Sequence, residues 1–130
     1  MPIDHTGLIV PADKHKDAVA FYLAALQPLG YKKIIEDGPG GMAVGLGADK
    51  KPDWWILAQQ EGQTIGTSVH TAFAVPNRAM VDSFHSAAVA AGGKCNGPPG
   101  PRPQYHPNYY GAFILDPVGT NVEAVCHAPE

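Results

Sequence analysis

Two histidines stand at matched places in this chain. His5 opens the run His5-Thr6-Gly7-Leu8-Ile9-Val10-Pro11, and half of the 130-residue chain later His70 opens His70-Thr71-Ala72-Phe73-Ala74-Val75-Pro76. A third polar residue, Glu123, is set between Val122 and Ala124-Val125, where a free carboxylate is costly and calls for a partner. Two imidazoles and one carboxylate are a donor set that a borderline divalent metal accepts, and with coordination positions left open they form a facial triad. Such a centre works as a Lewis acid, taking up negative charge on a substrate oxygen and holding the substrate in register. A strand histidine taken alone is more often a hydrogen-bonded core or edge residue than a ligand. The duplication, together with the buried glutamate, favours His5, His70 and Glu123 as ligands of one ion.

The stretch from Asn96 to Tyr110 holds five prolines among one arginine, one histidine and three tyrosines. Proline density argues against a central strand, so an extended loop is expected here, running into a strand near Tyr109. A proline-stiffened loop with these side chains suits a pocket rim; the bland alternative is a surface loop whose aromatics cap the core. As a rim it supplies His106 and Tyr110 as proton-transfer candidates. Arg102 is a candidate for gripping an anionic group, with Tyr105, Tyr109 and Trp55 as further substrate contacts. Of the other histidines, His85 is expected at the edge of a buried helical stripe, with His15 and His127 in solvent.

The elements that must position these groups repeat. In the first half, Ile3 to Val10 reads as a strand, with Asp13 as candidate N-cap of a helix whose apolar positions are Ala18, Phe21, Tyr22, Ala25, Leu26 and Leu29, closed by Gly30. Strands follow at Tyr31 to Glu36, Met42 to Leu46 and Trp54 to Ala58. After a glycine-containing linker over 59–66, the second half offers a strand from Ser68 to Val75, then a helix capped by Asn77 with the stripe Val81, Phe84, Ala88 and Ala91. Gly111 to Leu115 and Asn121 to Cys126 read as its final strands. Strand side chains alternate faces, so Glu123 shares a face with Val125, and His70 with Ala72.

The expected fold is therefore α+β: one domain over 1–130, made of two tandem β-α-β-β-β modules (1–58 and 67–130) that form a cupped, barrel-like mixed sheet around one site. A net charge of −3 and a pI near 6.0 provide no basic face for nucleic acid. The longest apolar run, Ala18 to Leu26, is too short for a bilayer span that needs roughly 20 residues. Without an evident export signal, and with Cys95 and Cys126 outside any zinc or redox spacing, a cytoplasmic protein without a membrane or nucleic-acid partner is expected.

The double module, the two strand-borne histidines and the segment Asp116-Pro117-x-Gly119-x-Asn121-x-Glu123 resemble the vicinal oxygen chelate superfamily, the group of glyoxalase I, the fosfomycin-resistance proteins, extradiol dioxygenases and the bleomycin-resistance proteins. The resemblance covers essentially the whole chain. It implies a metal held by residues of the first and last strands, which fall on His5, His70 and Glu123. Fe, Mn, Zn, Ni and Co all remain open for that ion. Aligning Asp53-Trp54-Trp55 with Asn121-Val122-Glu123 places Trp55 where the glyoxalase I pattern has a carboxylate, which leaves the three-ligand pattern of the other enzyme branches. The implied activity is that of a metal-dependent small-molecule enzyme that chelates two neighbouring substrate oxygens, a glyoxalase-like lyase or isomerase or else a dioxygenase. The alternative is a metal-free small-molecule or drug-binding protein of the bleomycin-resistance kind. Whether the two modules of one chain face each other, or exchange with a second copy in a homodimer, stays open at this stage.

Overall fold

A computed structural model describes residues 4–63, 65 and 69–130. The first module runs β1 (Thr6–Val10), α1 (His15–Ala25), β2 (Lys32–Asp37), β3 (Ala43–Gly47) and β4 (Trp54–Ala58); the second runs β5 (His70–Ala74), α2 (Arg78–Ala90), β6 (Lys94–Pro101), β7 (Tyr110–Leu115) and β8 (Asn121–Cys126). Each makes a four-stranded mixed sheet, in the orders β1-β4-β3-β2 and β5-β8-β7-β6. In both, the first strand pairs parallel with the last and the remaining pairs are antiparallel. The fold is the expected α+β tandem of modules, and the two sheets are not closed into a barrel.

Alternation along each strand divides the side chains between two environments. Leu8 and Val10 of β1, Trp54 and Ile56 of β4, and Ile114, Val122 and Ala124 of β7 and β8 all enter one buried cluster with Phe21 and Tyr22 of α1 and Phe84 and Ala88 of α2. Both sheets thus turn their helix-bearing faces onto the same core. Burying these faces removes the apolar stripe of each helix from water and fuses the modules into one cooperative unit. One buried polar bond crosses between them: the Tyr22 hydroxyl donates to Asp116 Oδ2 at 2.6 Å. The other oxygen of Asp116 accepts from the backbone N–H groups of Val118 and Thr120, so a helix of the first module is tied to the last turn of the second.

Four local readings differ from expectation. Asp13 does not cap α1: a 3-10 turn, Ala12–Lys14, leads into the helix and no side-chain cap bond forms. Asn77 does cap α2, accepting from the Met80 N–H at 2.9 Å. The proline-rich stretch is a strand at its start, because β6 lies at the sheet edge and bonds only to β7, with register shifts between Cys95 and Gly100 that absorb Pro98 and Pro99. The residues after it, 102–109, form the loop. His15, expected in solvent, instead places Nε2 2.9 Å from the Ile56 carbonyl and anchors α1 to β4. The strand expected from Ile3 begins at Thr6; residues 1–3 and Ser68 lie outside the described residues.

The Tyr22 hydroxyl has a titration that can be read out. Burial first, then the charge and hydrogen bond of Asp116, raise its ionisation well above the ordinary phenol value of 10.0. A group whose folded ionisation is raised contributes stability that is fully present below its unfolded value, near 10, and is lost as pH climbs towards the folded value. Tyr22→Phe should destabilise the protein by about 1–3 kcal/mol at neutral pH, by leaving Asp116 Oδ2 without its donor. That difference from wild type should shrink steadily above about pH 10, as chemical denaturation at a series of pH values would measure.

Candidate functional site

With the helix-side faces buried together, the opposite face of each sheet looks outward. In register, a transverse row crosses each one: Gly7, Trp55, Gly45 and Ile35 in the first sheet, Ala72, Glu123, Phe113 and Gly97 in the second. Trp55 and Glu123 therefore occupy equivalent places, as the sequence alignment expects, and His5 and His70 stand two residues before the first members of the two rows.

Glu123 is 2% exposed. His70 Nε2 lies 2.9 Å from Glu123 Oε2, and the Tyr109 hydroxyl donates to Oε1. Gly111 makes room for the carboxylate, since a Cβ there would come within 2.9 Å of Oε1. The His70 ring is held from its other side, where Nδ1–H donates to the Asn121 carbonyl at 3.2 Å, and it stacks at 6.0 Å on Phe113. Burial first, and then the hydrogen bond and charge of Glu123, push the Tyr109 phenol well above its ordinary value. Tyr109 is therefore a neutral donor to the carboxylate.

His5 stands apart from this pair. Its Nδ1 is 2.6 Å from Asp4 Oδ1, a carboxylate that also takes the Lys51 ammonium. Both partners hold the Asp4 carboxyl below its usual value, the Lys51 hydrogen bond being the larger cause. Among the described residues no group of three or more His, Cys, Asp or Glu side chains is close enough to hold a metal. One chain thus brings together His70 and Glu123 and leaves His5 on the outward face of the other sheet.

The donor set nevertheless fits a divalent ion. A metal-binding imidazole commonly donates its second N–H to a carboxylate or carbonyl, which fixes the tautomer and leaves the other nitrogen its lone pair. Both matched histidines have this arrangement: Nδ1 is engaged, by Asp4 for His5 and by the Asn121 carbonyl for His70, so that Nε2 is the nitrogen turned away from the anchor. His70 Nε2 already faces Glu123.

The rim residues divide. Tyr109 reaches the site, and Tyr105, 60% exposed, packs edge-on against it at 4.8 Å. His106 lies edge-on to Tyr109 at 5.4 Å; its Nδ1 accepts the Asn108 N–H, so its Nε2–H donates to His127 Nδ1 at 2.8 Å. Tyr110 is on the opposite face. Its hydroxyl donates to Asp82 of α2 and Arg78 lies over its ring, because it pairs with Cys126 and alternates with Gly111. Arg102 donates to the carbonyls of Pro98 and Gly100 and covers Phe113, clamping β6 to its own sheet. His127, set aside as a solvent residue, continues the alternation Asn121, Glu123, Val125 onto the outward face; that period of two was the available signal.

A cleft of about 390 Å³ runs along the edge of β5, bordered by His5, Tyr31, Asp53, Trp54 and Phe73, and it includes neither His70 nor Glu123. A shallower groove of about 370 Å³ lies on the outward face of the first sheet, between His5, Gly7, Ile9, Trp55 and Leu57.

The fold and site define a two-module α+β protein with a histidine–carboxylate pair on the outward face of one sheet and a lone histidine on the other. No protein-family model and no curated protein matches the chain. Solved structures do. A glyoxalase/bleomycin resistance protein from Albidiferax ferrireducens T118 is similar at a TM-score of 0.73 and 25% identity over 95% of this chain and 98% of that one. A glyoxalase/bleomycin resistance protein/dioxygenase family enzyme from Burkholderia phytofirmans PsJN gives 0.72 and 22%, over 98% and 100%. TioX from Micromonospora sp. ML1 gives 0.66 and 15%, over 95% and 98%. The chain has the fold of the vicinal oxygen chelate superfamily. Among its described residues, no helix is long and apolar enough to cross a membrane.

Removing the Tyr109 hydroxyl strips a nearly buried carboxylate oxygen of its donor. Tyr109→Phe should lower stability by about 1–3 kcal/mol, seen as a lower denaturation midpoint. The same change at exposed Tyr105 should stay within about 0.5 kcal/mol.

Proposed function

We propose that this protein is a metal-dependent enzyme acting on a small molecule that binds one divalent ion through two neighbouring oxygens, and that each site is completed by two copies of the chain. The observation that carries this reading is the matched anchoring of His5 and His70 through Nδ1, which leaves two equivalent Nε2 atoms and Glu123 as the three ligands. Because the two sheets are packed back to back, His5 of one copy meets His70 and Glu123 of another when the outward face of a first sheet covers the outward face of a second. The closed two-fold pairing that results carries two such sites.

The bound ion would supply Lewis-acid stabilisation of negative charge on a substrate oxygen. The chain's own groups have the remaining roles. Tyr109 holds a proton against Glu123 Oε1 and fixes the carboxylate's direction. His106 fixes the tautomer of His127 and leaves its Nε2–H available to a substrate oxygen. Trp55, in place of a second carboxylate, removes the base that a glyoxalase I pattern carries there. One observation favours a second reading, a metal-free binding protein: His70 and Glu123 already satisfy each other by a direct hydrogen bond.

Elemental analysis separates the two. Wild-type protein supplied with metal should hold one ion per chain, and Glu123→Ala and His5→Ala should each lose it while keeping the fold by circular dichroism. Mixing these two variants under subunit exchange should restore one intact site in each mixed dimer, about a quarter of the wild-type metal content. No recovery would place the ligands within one chain, and a metal-free wild type would favour the binding protein. Turnover of methylglyoxal with glutathione should be absent or weak, since Trp55 cannot act as a base; efficient turnover in a coupled absorbance assay would assign that role to another group.

A further inference from the structure

Trp55 is shaped by its neighbours in a way that the absence of a carboxylate does not require. It stands between two glycines, Gly7 on β1 and Gly45 on β3. A Cβ on Gly7 would come within 3.1 Å of Trp55 Cβ, and a Cβ on Gly45 would meet Trp55 Cη2 at 3.1 Å, Ile35 Cγ2 at 3.1 Å and Pro52 Cβ at 2.8 Å. The far edge of the indole therefore lies across the bare backbone of Gly45, wedged by Pro52 and Ile35. Its neighbour Trp54 is 2% exposed in the core, whereas Trp55 is half-buried on the outward face.

The groove over this indole, about 370 Å³, has Gly7, Ile9 and Leu57 as its remaining apolar lining and His5 as its one polar side chain. That volume is at the small end of ligand pockets and suits one or two rings. A fixed, partly exposed indole offers a π-face, and aromatic groups lie on such a face with an energy beyond simple area burial. A partner of matching chemistry is therefore flat, aromatic and apolar along its body, with a polar end directed at His5.

We infer that Trp55 is a stacking platform and that the ligand of this site carries a flat aromatic ring laid on it. The inference rests on the reading of the outward faces as the walls of the site, and narrows that reading to a substrate class. An anionic small molecule would be repelled by the indole face, and a purely aliphatic one would gain only the burial of its surface.

The test uses a matched pair of probes, 2-naphthol and its saturated counterpart decahydro-2-naphthol, which share an oxygen and a carbon skeleton and differ in aromaticity. Titration into wild-type protein without added metal, followed by the indole N–H signals in NMR spectra, should shift the Trp55 signal and leave that of buried Trp54 in place. Trp55→Leu should weaken 2-naphthol binding by roughly tenfold, and Trp55→Phe should restore most of it. Gly45→Ala, which puts a methyl where the indole edge already lies, should also weaken binding although it retains Trp55. Equal binding of the two probes, undiminished binding to Trp55→Leu, or no shift of Trp55 at millimolar 2-naphthol would overturn the inference. Because no metal enters the titration, loss of metal binding would count against the enzymatic reading alone, and absence of stacking against this inference alone.

Discussion

The constraint on which the rest of this structure depends is the main core that the two back-to-back sheets share. Neither module could bury its helix stripe and sheet face alone as completely as the pair does, so Leu8, Trp54 and Ile56 of one and Ile114, Val122 and Ala124 of the other close on the same helices. Once those faces are taken, the chemistry-bearing side chains are left on the outside of both sheets. The Tyr22–Asp116 bond matters for the same reason. It is a polar contact inside that core, and it joins a helix to a turn 94 residues later.

The outward faces are alike in backbone and opposite in chemistry. Equivalent positions hold an indole in one module and a carboxylate in the other, while the two histidines stay matched, each with Nδ1 engaged. One outward face thus offers charge and hydrogen-bond donors, the other an apolar floor. The sheet edges differ as well. β2 carries Lys32, Lys33, Glu36 and Asp37 on a largely exposed strand, the kind of charged edge that resists adventitious pairing.

Much of the site was legible in single residues, because the relevant physics is local. A glutamate inside an apolar run had to be partnered, and it is, by His70 and Tyr109. The equivalence of Trp55 and Glu123 followed from aligning two short segments, and the strand registers agree. What misled was direction. Tyr110 is one residue from Tyr109, and a period of two places them on opposite faces. Arg102 is suited to meet an anion by type alone, yet the acceptors it found are carbonyls of β6, the strand just before it. Prolines argued against β6, and an edge position with irregular register accommodates them.

The sequence by itself determined the duplication, the order of the elements and the residue types on each strand face, because periodicity and side-chain chemistry are properties of neighbours along the chain. Only the tertiary structure decided which faces meet. Whether the modules of one chain face each other across their polar surfaces was left open by the sequence. The apolar faces were the ones that closed together, since removing Trp54, Tyr22, Phe84 and Ile114 from water outweighs anything that three polar side chains could gain by converging. That choice is made by the sum of burial over both modules, a quantity no single stretch of sequence contains.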